Sequence, residues 1–99
     1  MAQFDLFWND AESFWLVDVQ HDLISSLATR VVIPLLPAAS APRPIERLNP
    51  VIRIDHADHV LMTDQLSAVQ RSLLGEARGN IAGQRDRIVA AVDLLVTGI

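Results

Sequence analysis

LVDVQHDLISSLATRVVIPL, Leu16 to Leu35, is the stretch that decides the fold. Its first part, Leu16-Val17-Asp18-Val19-Gln20, alternates apolar and polar side chains, the period of a half-buried strand. Its last part, Arg30-Val31-Val32-Ile33-Pro34-Leu35, is a β-branched run. Proline should stop it, having no N–H to give to a sheet ladder. The residues between, His21 to Thr29, are too few for a crossover helix, so the strands are expected to pair antiparallel. The loop that joins them carries the aliphatic pair Leu23 and Ile24.

Upstream, Phe4 to Trp8 reads as a strand with Phe4, Leu6 and Trp8 on one face and Asp5 and Phe7 on the other. Asn9 to Ser13 is polar and turn-prone, and the chain returns as a strand over Phe14 to Gln20. The first three strands then form a meander. Downstream, all five prolines (34, 37, 42, 44 and 50) fall between Pro34 and Pro50, which predicts an extended, stiffened connection. Val51-Ile52-Arg53-Ile54 and His59-Val60-Leu61-Met62-Thr63 predict a small hairpin joined by Asp55 to Asp58. A short strand is expected within Leu66 to Leu74, ending at Gly75.

From Gln84 the period changes to that of a helix. Ile88, Val92, Leu95 and Ile99 form a stripe that Ala91 and Leu94 widen, with Arg85, Asp86, Arg87 and Asp93 on the other side. Gly98 stands where a helix would end. Val96-Thr97-Gly98-Ile99 adds no polar tail, and apolar residues there are expected to fray or to dock, on a dimer seam or a partner protein.

At 99 residues with 51% hydrophobic side chains, the chain is expected to form one domain, residues 1–99, that gains core by dimerising. It has no cysteine, so disulfides and thiolate metal sites are out of reach and a cytoplasmic location is the simple expectation. There is no apolar run of membrane-spanning length, and Met1 to Asp5 lacks the basic start of a signal peptide. Twelve carboxylates oppose eight arginines, for a net charge of −4. A surface that tracks phosphates needs a basic excess, so proteins are the expected partners.

Asp55-His56-Ala57-Asp58-His59 is the one cluster with metal-ligand residue types. Its spacing is not that of a helical HExxH site and no distant third ligand stands out, so a polar turn is the favoured reading. His21-Asp22 beside Asp18 has no nucleophile near it in sequence and reads as an exposed loop. Arg30, Arg53 and His59 could serve ribonuclease chemistry, although nothing in their spacing unites them. Gly75, Gly79 and Gly83 follow no phosphate-loop pattern and mark a loose connection into the helix. No catalytic residue, cofactor or metal is expected.

The chain resembles the CcdB family, toxins of ccd toxin–antitoxin modules. The likeness rests on Phe4, Val17-Asp18-Val19-Gln20 followed by Asp22 and the aliphatic pair, and Val32-Ile33-Pro34-Leu35. It continues through Leu48, Pro50-Val51, Met62-Thr63, Ser67-Ala68-Val69, Leu74-Gly75-Glu76 and Gly98-Ile99. Each piece is short; their order and spacing along the whole chain make the match.

The resemblance implies a mainly β fold with a C-terminal α-helix, an SH3-like barrel with an antiparallel main sheet and a small second sheet, in a homodimer. It implies a non-enzymatic toxin that binds the A subunit of DNA gyrase and traps the cleaved-DNA complex. A CcdA-like antitoxin would neutralise it, and the pair would repress their own operon with the antitoxin contacting DNA. Carried over by position, the gyrase-binding residues are Leu23, Ile24, Asp93, Val96, Thr97, Gly98 and Ile99. The antitoxin surface would involve Asn9 to Ser13 and Leu36 to Arg47, which differ from the familiar toxins in length or composition.

Familiar members end in Phe-Trp-Gly-Ile, and their tryptophan stacks on a gyrase arginine, whereas this chain ends in Val96-Thr97-Gly98-Ile99. Such a stack is worth about 0.5–2 kcal/mol, and threonine cannot replace it. Asp93 also stands where asparagine is usual, adding a charge. Poisoning could thus be weakened, lost or retuned to a different gyrase. Two alternatives stand beside it: a non-poisoning antitoxin partner and corepressor, and a ribonuclease toxin on the related barrel.

Overall fold

The computed structural model describes all 99 residues. Six strands, β1 (Leu6–Asn9), β2 (Phe14–Asp18), β3 (Thr29–Pro37), β4 (Val51–Ile54), β5 (Ala57–Leu61) and β6 (Ser67–Gln70), precede one helix, α1 (Arg85–Thr97). Every strand pairing is antiparallel, in the order β1-β2-β3-β5-β4, with β6 also on β3. The protein is therefore mainly β with a C-terminal helix. The meander is present, with Val17 opposite Leu6 on one side and Ile33 on the other.

β3 does not stop at Pro34 but runs through it to Pro37. Along one edge its first half, Thr29 to Val32, pairs with β6, and its last part, Leu35 to Pro37, pairs with β5. Pro34 falls between these two pairings, so its missing N–H removes no ladder bond, and its carbonyl still accepts from the Met62 amide at 2.8 Å. The six strands thus form one open sheet rather than a main and a separate second sheet, and no pairing between β1 and β4 closes it into the expected barrel.

Other boundaries also shift. The first strand begins at Leu6, not Phe4, because Phe4 takes a left-handed conformation (φ 71°) that turns its ring into the core. The second strand ends at Asp18 rather than Gln20. The small hairpin turns on Asp55 and His56 alone, both at positive φ (49° and 66°), the backbone of a tight two-residue turn. Beyond β6 the chain makes a 3-10 turn over Arg71–Leu73 instead of continuing as strand to Gly75.

The glycine-containing connection is not loose. Arg78 to Ile81 runs along the free edge of β1: Leu6 N donates to Gly79 O, Arg78 N to Leu6 O, and Ile81 N to Phe4 O. This covers an edge that would otherwise offer unpaired backbone groups.

Strand alternation sorts the core onto both faces of the sheet. On one face Leu6, Val17, Ile33, Leu35, Ile52 and Leu61 meet Ile88 and Ala91 of α1. On the other, Phe7 and Val32 are covered by Leu74. The helical stripe buries only at its start. Ile88 and Ala91 are fully buried, whereas Leu95 and Ile99 are exposed, so the last turn of α1 projects beyond the core. No helix is long and apolar enough to cross a membrane.

Candidate functional site

Two exposed apolar features stand out, and the fold holds both in place. The first is the loop between β2 and β3, where Leu23 is 89% exposed and Ile24 about half exposed. A 3-10 turn over Asp22–Ile24 carries them and buries no residue of its own. Its restraint is polar. The His21 ring Nδ1 accepts from the Leu23 amide at 3.0 Å, and Asp22 Oδ1 accepts from the Gln3 amide at 2.8 Å.

Beneath that loop lies a buried ion pair that the sequence reading did not anticipate. Arg30 and Asp18 are both fully buried, with Arg30 Nη2 at 2.6 Å and Nε at 2.8 Å from Asp18 Oδ2. The other carboxylate oxygen accepts from the Gln20 amide at 3.0 Å. Burial pushes the Asp18 carboxyl above its ordinary value of 3.8. The bonds from Gln20 and Arg30 oppose that rise without overcoming it. Arg30 Nη1 also donates to Ser25 O, and the Gln20 side chain bridges Ile24 O and the Val31 amide. No buried side-chain nitrogen or oxygen is left without a partner.

The second feature is the end of α1. Val96 is 73% and Ile99 80% exposed, and Asp93, Thr97 and Gly98 are exposed too. Gly98 caps the helix in the left-handed region (φ 77°), its amide bonded to Leu94 O at 3.0 Å. The Thr97 hydroxyl donates back to Asp93 O at 2.7 Å, so it is spent on its own helix. Arg47 reaches from the proline-rich connection to donate to Ile99 O at 3.0 Å. That connection is itself anchored: buried Asn49 donates to Leu61 O and accepts from the Ile45 amide. Between the connection and α1 lies an open groove of about 540 Å³, flanked by Pro44, Pro50, Val51 and Ala90 with Arg47 and Arg87 on it.

The structure therefore presents Leu23 and Ile24 on one feature and Asp93, Val96, Thr97, Gly98 and Ile99 on the other. No hydrogen bond or ion pair joins the two within the chain. Arg47 and Asn49 could have been suspected only from their place among the prolines. Asp18 and Arg30, twelve residues apart on neighbouring strands, carried no local signal.

The residues set aside as candidate chemistry do not converge. Arg30 is consumed by Asp18 and cannot reach a phosphate. Register places Arg53 opposite Asp58 and His59 opposite Ile52, which puts Arg53 and His59 on opposite faces of the hairpin. His59 is buried with Nδ1 3.0 Å from Ala57 O, and Arg53 forms an exposed pair with Asp58 at 3.6 Å. The ribonuclease alternative thereby loses its cluster. Asp55 and His56 are simply the turn.

Fold and site together define a small antiparallel β protein that holds apolar side chains out in solvent from a braced backbone. The family model described as CcdB protein matches residues 3–98, nearly the whole sequence, and the chain belongs to that family. Membership makes it a toxin of the toxin–antitoxin kind and implies an antitoxin among its partners.

Proposed function

We propose that this toxin acts as a homodimer on DNA gyrase, binding the A subunit and trapping the cleaved-DNA complex, and that a CcdA-like antitoxin neutralises it. The contact surface comprises Leu23, Ile24, Asp93, Val96, Thr97, Gly98 and Ile99. One observation carries this reading: Leu23, Val96 and Ile99 stay largely in solvent while His21 holds the Leu23 amide, Arg47 holds the Ile99 carbonyl and helix α1 carries Val96. Folding alone gains nothing from large apolar groups held in water. A partner that buries them does.

The protein acts by binding, with no catalysis of its own. The connection that the family resemblance assigns to the antitoxin, Leu36 to Arg47, forms part of one wall of the groove against α1. Thr97 supplies no aromatic face, and its hydroxyl is already bonded to Asp93 O, so any stacking contribution to the gyrase contact is absent.

The test is plasmid linearisation by gyrase of the source organism with ATP and this protein. Linear DNA that depends on the protein is the expected result, and Gly98→Glu should abolish it without unfolding the protein, at a cost of about 1–2 kcal/mol for a side chain at the left-handed cap. Absence of cleavage by the folded wild-type protein would overturn poisoning and favour the antitoxin partner and corepressor. Thr97→Trp then separates two causes: gained cleavage shows that the surface is sound and only the aromatic anchor is missing.

A further inference from the structure

We propose that Asp18, Gln20, Arg30 and Arg71 are positioning residues, which clamp the loop between β2 and β3 from below so that Leu23 and Ile24 meet the partner in one fixed orientation. The inference rests on the reading that this loop docks on gyrase.

The loop has no fully buried apolar side chain to anchor it, since none of Asp22 to Ile24 is buried and Ile24 stays about half exposed. Its carbonyls are held instead. Ser25 O accepts from Arg30 Nη1 and from Arg71 Nη1, each at 3.2 Å, and Ile24 O accepts from Gln20 Nε2 at 2.9 Å. Gln20 is in turn fixed by Asp18 and by the Val31 amide, and Arg30 by Asp18. The far end is tied to the N-terminal segment through Asp22 and Gln3.

A buried ion pair is a weak stabiliser on its own, and an apolar pair of similar size would fill the same space. An apolar pair could not donate to carbonyls in the loop above it. The guanidinium does both: its Nε and Nη2 hold Asp18 while Nη1 reaches Ser25 O. A loop ordered before contact spares the partner the cost of ordering it, which is how preorganisation raises affinity.

The experiment measures binding of the full-length protein to the gyrase A subunit by calorimetry, with amide hydrogen exchange on the free protein. Arg30→Met is avoided because it leaves the Asp18 charge buried and unpaired. Gln20→Met and Arg71→Gln each remove a donor to the loop, and Arg71, half-buried at the edge of the cluster, carries the test if Gln20→Met fails to fold. The expected result is binding weakened roughly fivefold to tenfold, with faster exchange confined to residues 22–28. In a Leu23→Ala, Ile24→Ala background the same substitutions should have no further effect on binding, since the clamp acts only through those side chains. Folded variants that bind like wild type, or that lose as much in the double-alanine background, overturn the clamp while leaving the docking surface standing. Wild-type affinity in the Leu23→Ala, Ile24→Ala protein overturns the docking reading, and the clamp with it.

Discussion

At Asp18 and Arg30 two opposite charges are removed from water completely, and their mutual bonds offset only part of what that costs. The direction of the Asp18 shift gives the sign of its pH dependence. A carboxyl that titrates above 3.8 in the folded protein binds its proton more tightly there than in the unfolded chain. Its contribution to stability is therefore full below 3.8 and is lost as the pH rises through the folded value. Urea denaturation of wild type and Asp18→Asn across the acid range reads this directly. The wild-type stability, taken relative to the variant, should fall over that window and level off above it. A difference that grows with pH would mean that Arg30 outweighs desolvation. Neither residue's role was legible beforehand: Asp18 reads as the polar member of an alternating strand, and Arg30 as the charged start of a β-branched run.

The elements follow local rules closely, and their departures have local causes. Asp55 and His56 both occupy the left-handed region, where an L-residue is strained by about 1–2 kcal/mol and glycine is not. His56 is exposed, so His56→Gly should stabilise the protein by about 0.5 kcal/mol after glycine's greater chain entropy is deducted, read as a higher urea midpoint. An unchanged or lower midpoint would show that His56 makes a contribution beyond the turn. In α1 the period was readable but its depth was not. Ile88 sits at full burial against the sheet, so Ile88→Ala should cost about 2–4 kcal/mol. Val96→Ser, on the projecting last turn, should change stability by less than about 0.5 kcal/mol while weakening partner binding. Equal destabilisation by both would contradict a last turn that stands clear of the core.

Across the whole molecule only 22 of 99 residues are buried, a small core that association would enlarge. Leu23, Leu73, Val96 and Ile99 are each more than three-quarters exposed or nearly so in the single chain. Sedimentation velocity should show a species of twice the 10.9 kDa chain mass that dissociates on dilution. A single-chain mass at every concentration would remove the homodimer from the proposed function.

Sequence by itself determined the antiparallel meander, the small hairpin, the helix and its glycine cap, because hydrophobic period and turn chemistry act over a few neighbouring residues. It also marked Leu23, Ile24 and the last helical turn through family likeness. Only the tertiary structure decided that β3 continues through Pro34, since a proline's tolerance depends on which strand lies beside it. It alone paired Asp18 with Arg30 and brought Arg47, fifty-two residues away in sequence, to Ile99. Such polar contacts depend on three-dimensional distance and on exclusion of water, and neither is written in the spacing of residues along the chain.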